Sequence, residues 1–236
     1  MSANSLPNVT ENMCETCSAM TLIYWSKSMH ELFGDSAYYD TIEQALYNAT
    51  LSQIDLDGDA FFYFQVMGSS GAARTDWLGC PCCPVNYTRL LSNLSRYLYT
   101  QTDDSILVNL YVSSETSLTL DDTAVSLTMA SSMPWAGDAQ LTLGLSADAA
   151  FALKLRLPGW ATGDATVEVN GTPVSATADD KGYLVLDRTW SNGDVVAVDF
   201  PMEAFRVYTP EVATNDGLVA VQRGPVVYCA EAADND

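Results

Sequence analysis

The chain has 236 residues, of which 48% are hydrophobic, so it is long enough for one or two domains and can bury a core. It carries 30 acidic residues against 10 lysines and arginines, and this net charge of −20 argues against nucleic acids and anionic membranes as partners. No apolar run approaches the roughly 20 residues of a membrane-spanning helix. The first residues have neither the basic start nor the apolar stretch of a signal peptide, which favours a cytoplasmic location.

Apolar residues recur at helical spacing in the first hundred residues. The spacing predicts a helix over 15–33, ended by Gly34. Asp35 is a suitable N-cap for a second helix, which is expected to end before the turn at 55–58. The aromatic run 61–67 is interpreted as a short strand or extended segment. Pro84 is expected to open a third helix that continues to residue 98, since proline is favoured at the first helical position.

After Ser105 the hydrophobic period changes from helical to two, which is typical of strands. The dipeptides Asn170-Gly171 and Asn192-Gly193 predict tight turns between strands. Many short strands at this spacing predict an antiparallel β-sandwich. The expected fold class is therefore α+β and multidomain, with a helical segment first. The predicted strands are 106–112, 124–128, 140–143, 152–156, 166–169, 183–186, 195–200 and 218–221.

Five of the six cysteines fall in two tight groups, Cys14 with Cys17, and Cys80 with Cys82 and Cys83, while Cys229 stands alone. Clusters of this kind are more typical of metal or thiol chemistry than of a disulfide framework.

Zinc takes four ligands from thiolate, imidazole and carboxylate groups, and Glu15 is a natural fourth ligand beside three cysteines. The groups lie where helices are predicted to begin, and the positive end of a helix dipole stabilises thiolates. Two other hypotheses stay open. One is a closed clip of four cysteines that only holds two helices together. The other is a redox pair of Cys14 and Cys17, although no thioredoxin-like pattern surrounds it.

Several spaced motifs resemble glycoside hydrolase family 127, which is typified by β-L-arabinofuranosidases. In the helical part these are Leu6-Pro7-Asn8, Cys14-Glu15-Thr16-Cys17 and the run 74–86 with its Cys80-Pro81-Cys82-Cys83 centre, followed by Arg89. In the strand region they are residues 157–160, 169–171 and 222–229.

The resemblance implies an (α/α)6 barrel catalytic domain followed by β-sandwich domains. It implies a zinc ion bound by Glu15, Cys17, Cys82 and Cys83. It also implies that Cys82 is the nucleophile of a retaining glycosidase acting on L-arabinofuranosides, with a glycosyl-cysteine intermediate. Cys14 and Cys80 receive no role.

The resemblance also shows a gap. A retaining glycosidase needs an acid/base carboxyl group, which in this family is a glutamate upstream of the Glu-x-Cys motif. Only fourteen residues precede Glu15, and Glu11 does not lie in a matching context. Glu31 and Glu43 are alternative candidates on predicted helix surfaces.

The chain is therefore expected to hold the C-terminal part of a helical barrel (1–103), a β-sandwich (104–203) and the start of a further β domain (204–236). Alone it is expected to be inactive, and the uncovered barrel helices are expected to favour self-association. The alternative is a noncatalytic protein, in which a zinc-stabilised helical segment carries a carbohydrate-binding β-sandwich.

The remaining candidates have structural interpretations beside functional ones. Asn86 and Arg89 either orient the cysteines or make ordinary helix contacts. His30, the single histidine, is interpreted as a satisfied helix residue. Trp160 and Trp190 are expected in the sandwich core. Core packing is also favoured over sugar stacking for a set of aromatic residues, Trp25, Tyr38, Tyr39, Phe61, Phe62 and Tyr63.

Overall fold

The computed structural model describes residues 14–65, 73–76, 79–161, 165–208 and 217–230, without the side chains of Cys14 and Gln65. These residues form a mixed α+β fold whose sheets are largely antiparallel. Two compact units divide the chain: residues 1–26, 41–92 and 204–236 belong to the first, and residues 27–40 and 93–203 belong to the second. None of the helices in the described ranges is both long and apolar enough to cross a membrane.

Helices α1 (Thr16–Phe33) and α2 (Ala37–Ala49) confirm the first two predicted helices. Gly34 ends α1 with a φ of +68°, a conformation that glycine adopts without a steric penalty. The Asp35 carboxylate then accepts a hydrogen bond from the Ala37 amide at 2.9 Å, as an N-cap side chain does.

The third helix departs from the prediction at both ends. Helix α3 (Cys82–Leu91) begins two residues before Pro84, which occupies its third position, where an amide proton is not needed within the helix. The predicted continuation to residue 98 is wrong, because the chain leaves the α-helix at Leu91 and forms a separate 3-10 turn at Leu94–Tyr97. A further 3-10 turn covers Leu51–Gln53.

Fifteen strands lie in the described ranges. They are β1 (Cys14–Glu15), β2 (Phe64–Gln65), β3 (Tyr99–Gln101), β4 (Ser105–Val108), β5 (Ser114–Leu120), β6 (Thr123–Ser131), β7 (Asp138–Leu145), β8 (Ala149–Arg156), β9 (Thr166–Val169), β10 (Thr172–Pro173), β11 (Tyr183–Trp190), β12 (Val195–Asp199), β13 (Ala204–Tyr208), β14 (Val219–Arg223) and β15 (Val226–Tyr228).

Two sheets of the second unit share one core. The order of the larger is β10-β9-β12-β7-β6-β5 and that of the smaller is β11-β8-β4-β3. A small void between them is lined by Leu141 and Val196 from one sheet and Leu155 from the other, so the two sheets face each other as in a sandwich. One pairing, β4 with β8, is parallel, which the prediction of a wholly antiparallel sandwich did not include. Trp160 and Trp190 are buried, as predicted.

The strand predictions are right in the centre of the sheets and fail at their margins. Strand β5 was missed because alternate Ser and Thr side chains give it little apolar character, which suffices at the edge of a sheet. The predicted strand 106–112 ends at Val108 in the structure. In the first unit, β13-β14-β15 form a three-stranded sheet, of which only the strand 218–221 was predicted. Of the run 61–67, only Phe64 and Gln65 form a strand, and residues 66–67 lie outside the described ranges.

A buried polar network packs residues 27–40 against the strands of the second unit. His30 Nε2 lies 2.9 Å from the Tyr183 hydroxyl, which donates to the Asn109 side-chain oxygen at 2.7 Å. The fully buried Arg156 donates to the Asn109 carbonyl at 2.6 Å and to the Asp40 carboxylate at 2.6 Å. His30 is therefore satisfied at Nε2, but its buried Nδ1 has no hydrogen-bond partner among the described residues.

Candidate metal centre

Glu15, Cys17, Cys82 and Cys83 come together in the first unit. Each offers one ligand atom, and these four atoms all lie within 4.8 Å of one another. They come from two segments more than sixty residues apart in the chain, so their convergence is a property of the tertiary structure.

A two-residue β-ribbon positions the first segment. Strand β1 pairs with β2 so that Glu15 lies opposite Phe64. The next residue, Thr16, is fully buried: its amide donates to the Tyr63 carbonyl at 2.9 Å, and its hydroxyl donates to the Phe62 carbonyl at 2.9 Å. These bonds fix the start of α1 against the segment 62–65.

The three sulfur atoms lie at the beginnings of two helices. Cys17 is the second residue of α1, and Cys82 and Cys83 are the first two residues of α3. Neither helix has an acidic residue in its first turn, so the positive ends of both dipoles are available to stabilise negative charge on sulfur.

The spacing of the four donors suits a tetrahedral ion. Zinc–sulfur bonds of about 2.3 Å place neighbouring ligand atoms about 3.7 Å apart. In the structure the sulfurs of Cys17 and Cys83 are 3.5 Å apart, those of Cys82 and Cys83 are 3.9 Å apart, and Cys82 Sγ lies 3.2 Å from Glu15 Oε1. Three thiol groups and one carboxyl group at these distances fit a divalent cation such as zinc.

The electrostatics of the cluster agree with this fit. Burial raises the pKa of the Cys83 thiol far above its ordinary value, and the neighbouring Cys17 and Cys82 sulfurs raise it further. The pKa of Cys82 is also raised, first by burial and then by Cys17 and Glu15. Acidic groups packed this closely repel one another once ionised, and a bound cation removes that penalty.

Two hydrogen-bond donors surround the cluster. The Asn86 amide donates to Cys17 Sγ at 3.3 Å, so Asn86 contacts the cluster directly, as one of its two interpretations proposed. The Tyr63 phenol donates to Cys82 and Glu15, and these two bonds are the main reason that its pKa is raised. The sequence interpretation missed this role, because an aromatic residue within the run Phe-Phe-Tyr-Phe gives only a packing or stacking signal.

The other cysteines are outside the cluster or cannot be placed. Cys80 and Cys229 are exposed and do not belong to the group of four. The side chain of Cys14 lies outside the described part of the structure, so the redox hypothesis remains a prediction. The four ligand atoms that lie together include the carboxylate oxygen of Glu15. This favours a site of three cysteines and one glutamate over the clip of four cysteines.

The two alternative acid candidates occupy other positions. Glu43 was expected on a helix surface, but it is buried, because the face of α2 that carries it packs inward. Glu31 is exposed on α1, where it pairs with Lys27. Neither belongs to the cluster of four.

The remaining aromatic candidates divide between core and surface. Tyr39 and Phe61 are buried, as the core interpretation predicts, whereas Trp25 is exposed. The Arg89 guanidinium lies 4.5 Å from the centre of the Tyr24 ring, whose hydroxyl donates to the Asn86 carbonyl at 3.3 Å.

Comparisons with known proteins agree along the whole chain. Residues 1–96 match the model of the beta-L-arabinofuranosidase GH127 catalytic domain, residues 105–202 match its GH127 middle domain, and residues 205–236 match the glycoside hydrolase family 127 C-terminal domain. The non-reducing end beta-L-arabinofuranosidase of Bifidobacterium longum subsp. longum is 31% identical over 248 residues, which cover 98% of this chain and 37% of that enzyme.

Two solved structures are similar in fold as well as in sequence. A GH127 beta-L-arabinofuranosidase from Geobacillus stearothermophilus T6 is 39% identical with a TM-score of 0.92, over 98% of this chain and 38% of that one. A second GH127 beta-arabinofuranosidase is 38% identical with a TM-score of 0.92, over 98% of this chain and 39% of that one. The chain thus spans less than two fifths of the length of these relatives.

Proposed function

This chain belongs to glycoside hydrolase family 127, and we propose that it carries the metal-binding and nucleophilic part of a β-L-arabinofuranosidase active site. The observation that supports the proposal most is the meeting of three sulfur atoms and one carboxylate at the starts of two helices. The relatives are described as arabinofuranosidases, which makes L-arabinofuranosides the substrate class to test first.

In this proposal Glu15, Cys17, Cys82 and Cys83 hold a zinc ion. When bound, zinc keeps the sulfur atoms ionised near neutral pH and fixes their positions. A purely structural zinc usually has cysteine and histidine ligands, and the carboxylate of Glu15 therefore favours a catalytic site.

Cys82 is the proposed nucleophile among the three cysteines. Cys83 is fully buried, whereas Cys17 and Cys82 are both half-buried. Of these two, Cys82 is the one that matches the family's nucleophile, and it lies at the first residue of α3. Its sulfur attacks the anomeric carbon, and the electron pair of the glycosidic bond leaves on the departing oxygen. Water then displaces the sulfur, so the sugar keeps its anomeric configuration.

Both steps need a carboxyl group that first protonates the leaving oxygen and later accepts a proton from water. Glu15 is engaged in the cluster, and neither Glu31 nor Glu43 lies there. We therefore propose that the acid/base group is supplied from outside the described residues, and that this chain alone does not turn over substrate.

The proposed domain organisation follows from the same premise. Residues 1–103 form the end of a helical barrel, residues 104–203 form a β-sandwich and residues 204–236 begin a further β domain. Helix α1 exposes Leu22, Trp25 and Leu32 at helical spacing, which supports the proposal that uncovered barrel helices promote self-association.

An activated substrate tests the nucleophile and the missing acid/base group separately. A 2,4-dinitrophenyl β-L-arabinofuranoside has a leaving group that needs no protonation, so the zinc-loaded chain is expected to release one equivalent of dinitrophenolate and stop. Peptide mass spectrometry should then find one pentosyl group on Cys82. A Cys80→Ser control, which changes an exposed cysteine two residues away, should behave like the wild type, and Cys82→Ser should release nothing.

Elemental analysis completes the test. One zinc per wild-type chain is expected, and Glu15→Gln should bind it more weakly because a neutral amide replaces a charged ligand. A pentosyl group on any residue other than Cys82 would contradict the assigned nucleophile. Sustained turnover by the isolated chain would contradict the missing acid/base group.

A further inference from the structure

The phenol of Tyr63 contacts two of the four clustered side chains. It donates hydrogen bonds to Cys82 and Glu15, whose sulfur and carboxylate oxygen are 3.2 Å apart. The backbone of Tyr63 is tied to the start of α1 through the Thr16 amide at 2.9 Å, and its ring packs edge-on against Phe64. The phenol is thus held in place from two sides.

A phenol has a single proton to donate. Tyr63 therefore shares one proton between two acceptors, and the acceptor with the greater negative charge receives the stronger bond. In the proposed reaction the charge of Cys82 changes, whereas that of Glu15 does not. The sulfur is an anion before attack and a neutral thioether afterwards, whereas Glu15 stays a carboxylate throughout.

We propose that Tyr63 is a positioning residue that donates its hydrogen bond to the Cys82 thiolate before the attack. While the sulfur is bonded to the sugar, the phenol donates to the Glu15 carboxylate instead. This inference rests on the proposed function, because it requires Cys82 to be the nucleophile. The phenol proton stays on Tyr63 in both steps, and only its acceptor changes. When the carbon–sulfur bond breaks, its electron pair returns to Cys82 and the phenol again donates to the sulfur.

The bond has opposite effects on the two steps. A hydrogen bond stabilises the thiolate and so lowers its nucleophilicity, but the same stabilisation makes it a better leaving group. Thiolates are poor leaving groups from an anomeric carbon compared with protonated oxygen, so the departure of the sulfur is the step that gains from Tyr63.

The test measures how fast Cys82 attacks a small electrophile in the zinc-loaded chain. Iodoacetamide is added to the wild type, Tyr63→Phe and Tyr24→Phe, and the alkylation rates of Cys17, Cys82 and Cys83 are followed separately by peptide mass spectrometry. Tyr24→Phe is the matched control, since it removes a hydroxyl that donates to the Asn86 carbonyl from a residue next to the same site. Zinc content is measured for each protein.

In Tyr63→Phe the rate at Cys82 is expected to rise about three- to tenfold, because a thiolate that loses one hydrogen bond is a stronger nucleophile. The rates at Cys17 and Cys83, the zinc content and all values for Tyr24→Phe should stay as in the wild type. An unchanged or lower rate at Cys82, a rise at all three cysteines, or loss of zinc from Tyr63→Phe alone would each overturn the assignment. A wild-type chain in which Cys82 does not react before Cys17 and Cys83 would instead overturn the proposed function, and the role of Tyr63 with it.

Discussion

The buried His30 makes the stability of the second unit depend on pH. Burial, and then the nearby Lys27 ammonium, lower the pKa of His30 from 6.5 to about 4. Its ring packs edge-on against Tyr39 with 4.7 Å between ring centres, and its Nδ1 has no hydrogen-bond partner among the described residues. If Nδ1 is protonated in the folded protein, the new N–H group has no described acceptor to which it can donate a hydrogen bond.

The sign of the effect follows from where the proton binds. Above about pH 7.5 the ring is neutral in both the folded and the unfolded chain. Between pH 6.5 and about 4 the unfolded chain binds a proton that the folded chain excludes, so the free energy of unfolding falls as the pH falls. The difference between the two pKa values corresponds to about 3 kcal/mol in all, of which about 2 kcal/mol is lost between pH 7.5 and pH 5.

Urea unfolding at several pH values measures this loss. His30→Gln is the matched variant, because its side-chain amide nitrogen can replace Nε2 beside Tyr183 and does not titrate. Subtracting the variant's free energy of unfolding from that of the wild type removes the contribution of the carboxylates, which titrate in both proteins. The subtracted value should fall by about 2 kcal/mol from pH 7.5 to pH 5. Parallel curves for the two proteins, or a wild type that gains stability relative to His30→Gln as the pH falls, would refute the reasoning.

Two further predictions concern the packing of the second unit. Asp40→Ala should lower the free energy of unfolding in urea by about 2 kcal/mol, because it removes the carboxylate that pairs with the fully buried Arg156 guanidinium, and Arg156→Met in the same chain should recover part of that loss. A loss below about 0.5 kcal/mol would show that the buried guanidinium does not depend on this carboxylate. Gly182 and Gly193 both have a positive φ, but a Cβ at Gly182 would lie 2.1 Å from Ser36 Oγ whereas one at Gly193 meets nothing within 4 Å. Gly193→Ala should therefore lower the free energy of unfolding by about 1 kcal/mol, and Gly182→Ala should lower it clearly more. If the two variants lower the melting temperature equally, Ser36 moves aside without an energetic penalty.

Local sequence patterns predicted the first two helices and the central strands well, and the failures elsewhere have identifiable causes. Gly34 and Asp35 marked the end of α1 and the cap of α2 because both signals act through the backbone of neighbouring residues. Pro84 misplaced the start of α3, since proline is tolerated throughout a first turn and does not by itself mark its first residue. Strand β5 was not predicted, because a strand at the edge of a sheet needs few apolar residues.

The candidate site divides in the same way. The types and spacing of Glu15, Cys17, Cys82 and Cys83 already indicated a zinc–thiolate site, because few other arrangements use so many thiols beside helix starts. Tyr63 could not be found by such a pattern. Its contact with Cys82 depends on the pairing of β1 with β2 and on the position of α3, neither of which leaves a trace in the neighbouring residues.

The sequence by itself therefore determined the chemistry that is possible here, namely which donor groups exist, where helices begin beside them and which family shares their motifs. Only the tertiary structure decided that donors 67 positions apart, such as Glu15 and Cys82, lie 3.2 Å from each other, and that Arg156 and His30 are buried. The physical reason is that propensity and periodicity act between neighbours in the chain, whereas distances within a site and the burial of charge are set by contacts between segments that are remote in sequence.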